Sequence, residues 1–487
     1  MKKILISLLV VITATIISCK KLVELNENNK QPEQAVSGSL FANALKSLVD
    51  QETTPSVNFN VFRAFAQYIT ETTYIDESEY NVLNRKIPDN EFLTMYRDVL
   101  KDFKEAQSVV DKETSVISND IQKKNKKAIC EILMVYSFHR LVDVFGNIPY
   151  DDALNIENLA PKYDDAKAIY DKLFTRLDAA IANLDVNESS FGSSDKIYNG
   201  NVTSWKRFGN SLKVKMAISV ADVLELNPGA KISSAIAGGI FTASSQDAKY
   251  KYLDAQPNTN PVYVQFIASG RNDWVVANTI VDTMNFLNDP RRDDYFDQNL
   301  GAGIYTGGVY GTYNDYYSYT HVSPTVVAPT REAILINYTE LQFYLAEAAE
   351  RGLIGTPADA VTYYNAGITS SILYWGGTAA DAAAYLLNPN VAYATAPGAT
   401  YKEKIGLQAW LAFYDRGLLG WTSWRRLDAP MFNYPPGQAV GSQFIPKRFT
   451  YPISEQTING SNYKAAASAI GGDNLTTRLF WDLTNKQ

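Results

Sequence analysis

The sequence predicts an all-α fold, built of tetratricopeptide-like helical hairpins with long irregular loop insertions forming a ligand face. Three observations predict it. Apolar residues recur every three to four positions in segment after segment. Small residues sit where two such helices would touch. Proline, glycine and tyrosine crowd into a few long stretches that lack this period. With 46% hydrophobic residues in a chain of 487 there is material for a substantial core, and residues 19–487 are expected to form a single helical domain.

The stripes come in order. Ile169, Leu173, Leu177, Ile181 and Leu184 lie on one helix face, with Asp164 and Asp165 where a helix start favours acids. Trp205, Phe208, Leu212, Met216 and Val220 mark a second helix, with Thr203 as its cap and Asn227-Pro228-Gly229 as its stop. Further helices are expected near 34–49, 58–75, 90–112, 121–143 and 402–418. The 338–375 segment reads as a hairpin. Leu341, Leu345, Ala348 and Ala349 follow a capping-box spacing from Thr339 to Gln342 and end at Gly352, and the partner helix opens at Thr356-Pro357. Tyr344, Ala348, Ala360, Tyr364 and Gly367 fall where tetratricopeptide repeats place one large residue and then small ones. Glu347 and Arg351 depart from that pattern, because apolar residues are usual there.

Residues 241–330, 376–400 and 427–474 read as irregular insertions. The first holds Tyr305, Tyr310, Tyr313, Tyr316, Tyr317 and Tyr319, an aromatic density that argues against disorder. Loops held by a rigid scaffold usually carry recognition, and a ring covers an apolar ligand face at low entropy cost. The ligand face is therefore expected in 250–320. Trp274, Tyr310, Tyr313, Tyr316, Tyr317 and Tyr319 are its candidate rings, and Arg271 and Asn272 its hydrogen-bonding groups. The alternative is that these rings pack the insertion onto the helices. Trp421, Trp424, Arg425 and Arg426 could form a cation–π platform, but they continue the apolar run from Trp410 and read as a helix end packed inward.

The N-terminus sets the compartment. Lys2 and Lys3 precede an apolar stretch, Ile4 to Ile17, too short to span a bilayer and followed by Ser18-Cys19. Residues 1–18 read as a lipoprotein signal peptide and Cys19 as the lipidated residue. Only Cys130 then remains, with no partner for a disulfide, and it reads as a buried apolar residue. Loss of Lys2 and Lys3 takes the formal charge from −7 to −9, which disfavours nucleic acid as a partner.

No catalytic residue, metal or cofactor is expected. Two histidines, His139 and His321, make a histidine metal site or triad improbable. No GxSxG, HExxH, phosphate-loop or dinucleotide motif occurs. Asp293-Asp294 reads as solvated loop charge, and Asp195, Asn199 and Asn201 around Gly200 lack the spacing of a calcium loop.

Ordered blocks along the chain carry a family resemblance. They are the Ser18-Cys19 site, Leu141-Val142-Asp143-Val144-Phe145-Gly146-Asn147-Ile148-Pro149-Tyr150, Pro161-Lys162-Tyr163-Asp164, Ile197-Tyr198-Asn199-Gly200, Asp289-Pro290-Arg291, Tyr338-Thr339-Glu340-Leu341, Trp421 to Arg426, and Arg448-Phe449 with Tyr451-Pro452. The chain resembles the SusD/RagB superfamily, in its SusD-like starch-binding-associating branch. The resemblance implies a non-catalytic lipoprotein anchored in the outer membrane and facing the cell surface. It would capture oligosaccharide and deliver it to a TonB-dependent SusC-like β-barrel transporter, with oligopeptide capture as the alternative. Surface export in the family tends to follow acidic residues after the lipidated cysteine. Here Lys20 and Lys21 come first and Glu24 only later, which leaves a periplasmic face open.

Overall fold

The apolar stripes fold into antiparallel helix pairs in the computed structural model, which describes residues 36–483; residues 1–18, expected to be a signal peptide, and Cys19 lie outside them. The chain opens with α1 (Ser37–Thr53), a short α2 (Phe62–Phe65) and β1 (Ile69–Glu71). α3 (Ile87–Leu93) then runs through a π-helical stretch, Thr94–Leu100, into α4 (Lys101–Lys112). α5 (Asp120–Phe145) starts on a capping box in which the Asn119 side chain accepts from Gln122 and the Gln122 side chain accepts from Asn119. β2 (Ile148–Pro149) and β3 (Tyr163–Asp164) pair antiparallel after it. α6 (Ala166–Ala182) is capped by Asp165, which answers the acidic start read from the sequence.

α7 (Val202–Ser219) is capped by Asn201, not Thr203. Pro228 does not stop α7. It opens α8 (Pro228–Gly238), where a proline's missing N–H has no helical partner to lose, and β4 (Lys249–Tyr250) follows. The 58–75 expectation also fails. The apolar spacing there belongs to α2 and β1, and β1 pairs with β5 (Trp274–Val276) across more than 200 positions of sequence, a contact no local pattern encodes. The 241–330 insertion contains α10 (Asn278–Leu287), between a three-residue α9 (Pro261–Tyr263) and a four-residue α11 (Arg292–Tyr295).

The 338–375 hairpin forms as α12 (Tyr338–Glu350) and α13 (Asp359–Tyr374). Its cap is Asn337 rather than Thr339. Thr356 donates to Asp359, so it sits just outside α13. Gly367 is where the two helices touch: a Cβ there would come within 3.0 Å of the Phe343 ring. Glu347 and Arg351 stand where the repeat wants apolar residues because they form an ion network. Glu347 is buried and pairs with Arg426 and, at 2.8 Å, with Arg351, which reaches Asp222. α14 (Ala379–Leu386), α15 (Tyr401–Ala412), α16 (Gly417–Leu427), α17 (Ile453–Ile458) and α18 (Gly460–Ala469) complete the chain, so the other two insertions also hold short helices. One apolar core runs through the hairpins, with Trp205, Trp410, Trp421 and Trp424 all buried in it.

Candidate functional site

Three loops meet where β1 pairs β5. Glu71 stands opposite Trp274 in the ladder, and beyond it Thr72 N–H donates to the Asp273 carbonyl at 2.9 Å and Thr72 Oγ1 to the Asn272 carbonyl at 2.7 Å. The third loop is stapled on by buried Asn314. Its N–H donates to the Thr72 carbonyl at 3.0 Å, and its amide donates to the carbonyls of Glu71, Val309 and Thr312. Gly308 permits the close approach, since a Cβ there would lie 2.6 Å from a Val275 methyl carbon. Residues 72–84, 269–273 and 309–319 are thereby held side by side by backbone hydrogen bonds, which makes a preformed surface rather than three independent loops.

The surface these loops present is aromatic. All 31 tyrosines lie in the described residues, yet only Tyr74, Tyr313 and Tyr317 are exposed, at 61%, 73% and 75%. Every one of the three sits on these loops. Tyr74 lies close enough to Arg271 to act on its charge, and Arg271, itself exposed, pairs with Asp273. Asn272 is exposed beside them. Tyr316 is half-buried, stacked on the His321 ring at 3.8 Å and edge-on to Tyr317 at 5.4 Å. Tyr319 is also half-buried, and its carbonyl accepts from Asn299.

Two expected rings are corrected. Trp274 is only 4% exposed and packs with Ala64, Ile69, Phe266 and Val322. Tyr310 is buried, and its hydroxyl donates to the Ala64 carbonyl at 2.8 Å. Both form the floor beneath the loops and offer no ring face to solvent, because the strand pair is covered on both faces, with Trp274, Val275 and Val276 all buried, and Tyr310 is tied down by its bond to Ala64. Tyr74 is the residue that sequence reasoning missed. It lay inside a segment read as helix.

Under the floor lies an unusual carboxyl pair. Glu71 and Glu77 are both buried and within hydrogen-bonding reach of each other. Ser78 N–H donates to Glu71 at 3.0 Å, and Arg85 reaches Glu77 at 2.6 Å. Burial first, and Glu77 second, push the Glu71 carboxyl up to about 9. A neutral Glu71 removes the repulsion between two buried carboxylates.

The remaining candidates are structural. Trp421 and Trp424 are core residues, and the Arg425 guanidinium lies 3.6 Å over the Trp421 ring while donating to the carbonyls of Asp143 and Lys447. Asp195 is filled by protein donors, from Ile197, Tyr198, Gly200 and the Trp205 indole. Cys130 is buried, and burial pushes its thiol up, away from nucleophilic use. His139 is buried too, and burial pushes its pKa down. A polar cavity between α5, α7, α12 and α16 is lined by Glu52, Arg140, Lys215 and Arg416, and offers about 70 Å³ to the centres of water molecules. That space holds on the order of five waters, far too few for an oligosaccharide. Glu340 beside it shows how its charges are balanced. Burial pushes its carboxyl up, but Arg416, Lys215 and Tyr344 outweigh burial and hold it at about 2.

The fold and the loop surface together define a class, an all-helical scaffold that presents a preformed loop face. The chain belongs to the SusD-like family described as starch-binding, associating with outer membrane, whose family model matches residues 29–452. Solved structures agree over nearly the whole chain. A chitin-binding protein superposes with a TM-score of 0.77 at 22% identity, covering 92% of this chain and 100% of its own. A chitin-binding SusD homologue from Flavobacterium johnsoniae gives 0.76 at 24%, covering 91% and 99%. A SusD homologue from Bacteroides uniformis gives 0.76 at 25%, covering 91% and 99%. No curated protein matches the chain by sequence. No helix among the described residues is long and apolar enough to cross a membrane.

Proposed function

We propose that the chain captures oligosaccharide without cleaving it and delivers it to a TonB-dependent SusC-like β-barrel, anchored in the outer membrane through lipid on Cys19. The observation that carries the capture reading is the gathering of Tyr74, Tyr313 and Tyr317, the exposed tyrosines, onto loops stapled to one another. An exposed ring costs contact with water and suits the apolar face of a sugar. Arg271 and Asn272 supply hydrogen bonds beside it, and Tyr316 and Tyr319 extend the surface. Two structural neighbours named for chitin binding make β-linked amino-sugar oligomers, alongside starch fragments, the first glycans to try. Nothing in the site favours oligopeptide capture.

The test is calorimetry with chitooligosaccharides and maltooligosaccharides on Tyr74→Ala, Tyr313→Ala and Tyr317→Ala. Loss of one stacking contact should weaken binding by roughly 1–3 kcal/mol, about 5- to 150-fold, by analogy with base stacking. Unchanged affinity in all three folded variants moves the site elsewhere. Trp274→Phe, which keeps the floor apolar, should bind like the parent. Product profiles after incubation with these glycans should stay unchanged, and cleavage by pure protein would revive an enzyme.

A further inference from the structure

We infer that the tip between α4 and α5 is a membrane-contact surface that seats the protein on a lipid bilayer beside its anchor. The inference rests on the lipidation of Cys19 proposed above. The tip carries Val116 and Ile117, 94% and 61% exposed, in a short turn flanked by serine and threonine. Val36 and Ile121 are exposed on either side of it, and Lys112 and Lys124 stand exposed at the adjoining helix ends, with Lys123 half-exposed between them. Adjacent β-branched side chains pointing into water bury little against the described residues. Asp111 and Asp120 are exposed among these lysines, so what the tip offers a bilayer is apolar burial at the boundary between acyl chains and headgroups rather than a basic surface.

The position of the tip singles out the occupant. Ser37, the first residue of α1, donates from its hydroxyl to Glu113, and Lys126 bridges Glu113 at 2.8 Å and Ser118 Oγ at 2.6 Å. All four side chains are buried, so the tip is locked to the point where the chain enters the fold. Only residues 20–36 separate that point from Cys19, a reach of about 60 Å at full extension. The tyrosine loops begin past the far end of α1, whose 17 residues span roughly 25 Å.

The experiment uses the full acylated chain with Val116→Cys labelled by an environment-sensitive fluorophore. Buried Cys130 leaves the new thiol as the reactive one. The control is Ile156→Cys, also well exposed at 80% but beyond the opposite end of α5. Acylation is checked first by mass. In vesicles of phosphatidylethanolamine and phosphatidylglycerol, without any transporter, the Val116 probe should shift to the blue with several-fold higher emission. It should also be quenched by nitroxide-labelled lipid, while the Ile156 probe stays as in water. Acylated protein whose two probes behave alike overturns the contact. A Val116 probe already blue-shifted in the lipid-free Cys19→Ser chain would mean that residues 20–35 cover the tip, which also overturns it. Absence of acylation removes the anchor reading itself, and mass alone tells that failure from the others.

Discussion

The cluster around Trp421 and the loop face around Tyr313 are made of the same residue types, aromatic rings and arginine, and use them oppositely. In the core, Arg425 lies over Trp421 and Trp481 and spends its donors on backbone carbonyls. Burial pushes its pKa down to about 10, and it is still charged at neutral pH. On the loop face, Arg271 is exposed, its partner Asp273 is next but one in sequence, and the rings near it face water. A cation and a ring in adjacent sequence positions thus say nothing about recognition. What separates the two is whether a further layer of structure covers them.

The comparison breaks most visibly through stability. Arg425→Leu should destabilise by about 2–5 kcal/mol, because it strands two buried carbonyls and opens space between tryptophans. Chemical denaturation reads this directly, and a loss near zero would mean the core cluster is dispensable. Gly367→Ala should cost about 1–3 kcal/mol, since the new methyl meets the Phe343 ring in the hairpin contact and rings in a close-packed core yield little. Arg271→Ala should stay within about 0.5 kcal/mol, as exposed substitutions do, while weakening glycan binding. If Arg271→Ala instead unfolds the loops, the face is held together by that ion pair rather than by the Asn314 staple.

A smaller effect sharpens the floor beneath the face. Glu71 has its folded-state pKa raised to about 9 from an ordinary 4.5. The folded state therefore binds more protons than the unfolded one between those values. That contribution to stability is full below about 4.5, declines as pH rises, and is gone above about 9. Glu71→Gln, whose amide donates to Glu77 at every pH, should flatten the slope and raise the melting temperature by a few degrees at alkaline pH. Parallel melting curves for parent and variant across that range would show that the two carboxyls do not share a proton.

The hairpin was legible because its signals are local. Ile169 to Leu184, Asp165 and the Tyr344-to-Gly367 spacing act within a few turns of helix. Even there the cap fell to Asn337, since asparagine and threonine are both good caps and only the chain's entry angle chooses between them. The departures at Glu347 and Arg351 are explained by Arg426 and Asp222, far away in sequence and paired with them in the fold. The exposed rings Tyr313 and Tyr317 lie in the stretch expected to hold the ligand face, but Trp274 and Tyr310 turn inward and exposed Tyr74 lies in a strand–loop unit whose spacing reads as helix.

By itself the sequence determined the helical class, the hairpin and the stretch in which aromatic loops gather. Periodicity, capping and composition are short-range properties that survive without knowledge of partners. Only the tertiary structure decided which rings face water. That choice hangs on the β1–β5 pairing and the Asn314 staple, contacts between residues over 200 positions apart. A tyrosine carries the same letter whether it fills a core or meets a ligand, and its exposure is set by what packs against it.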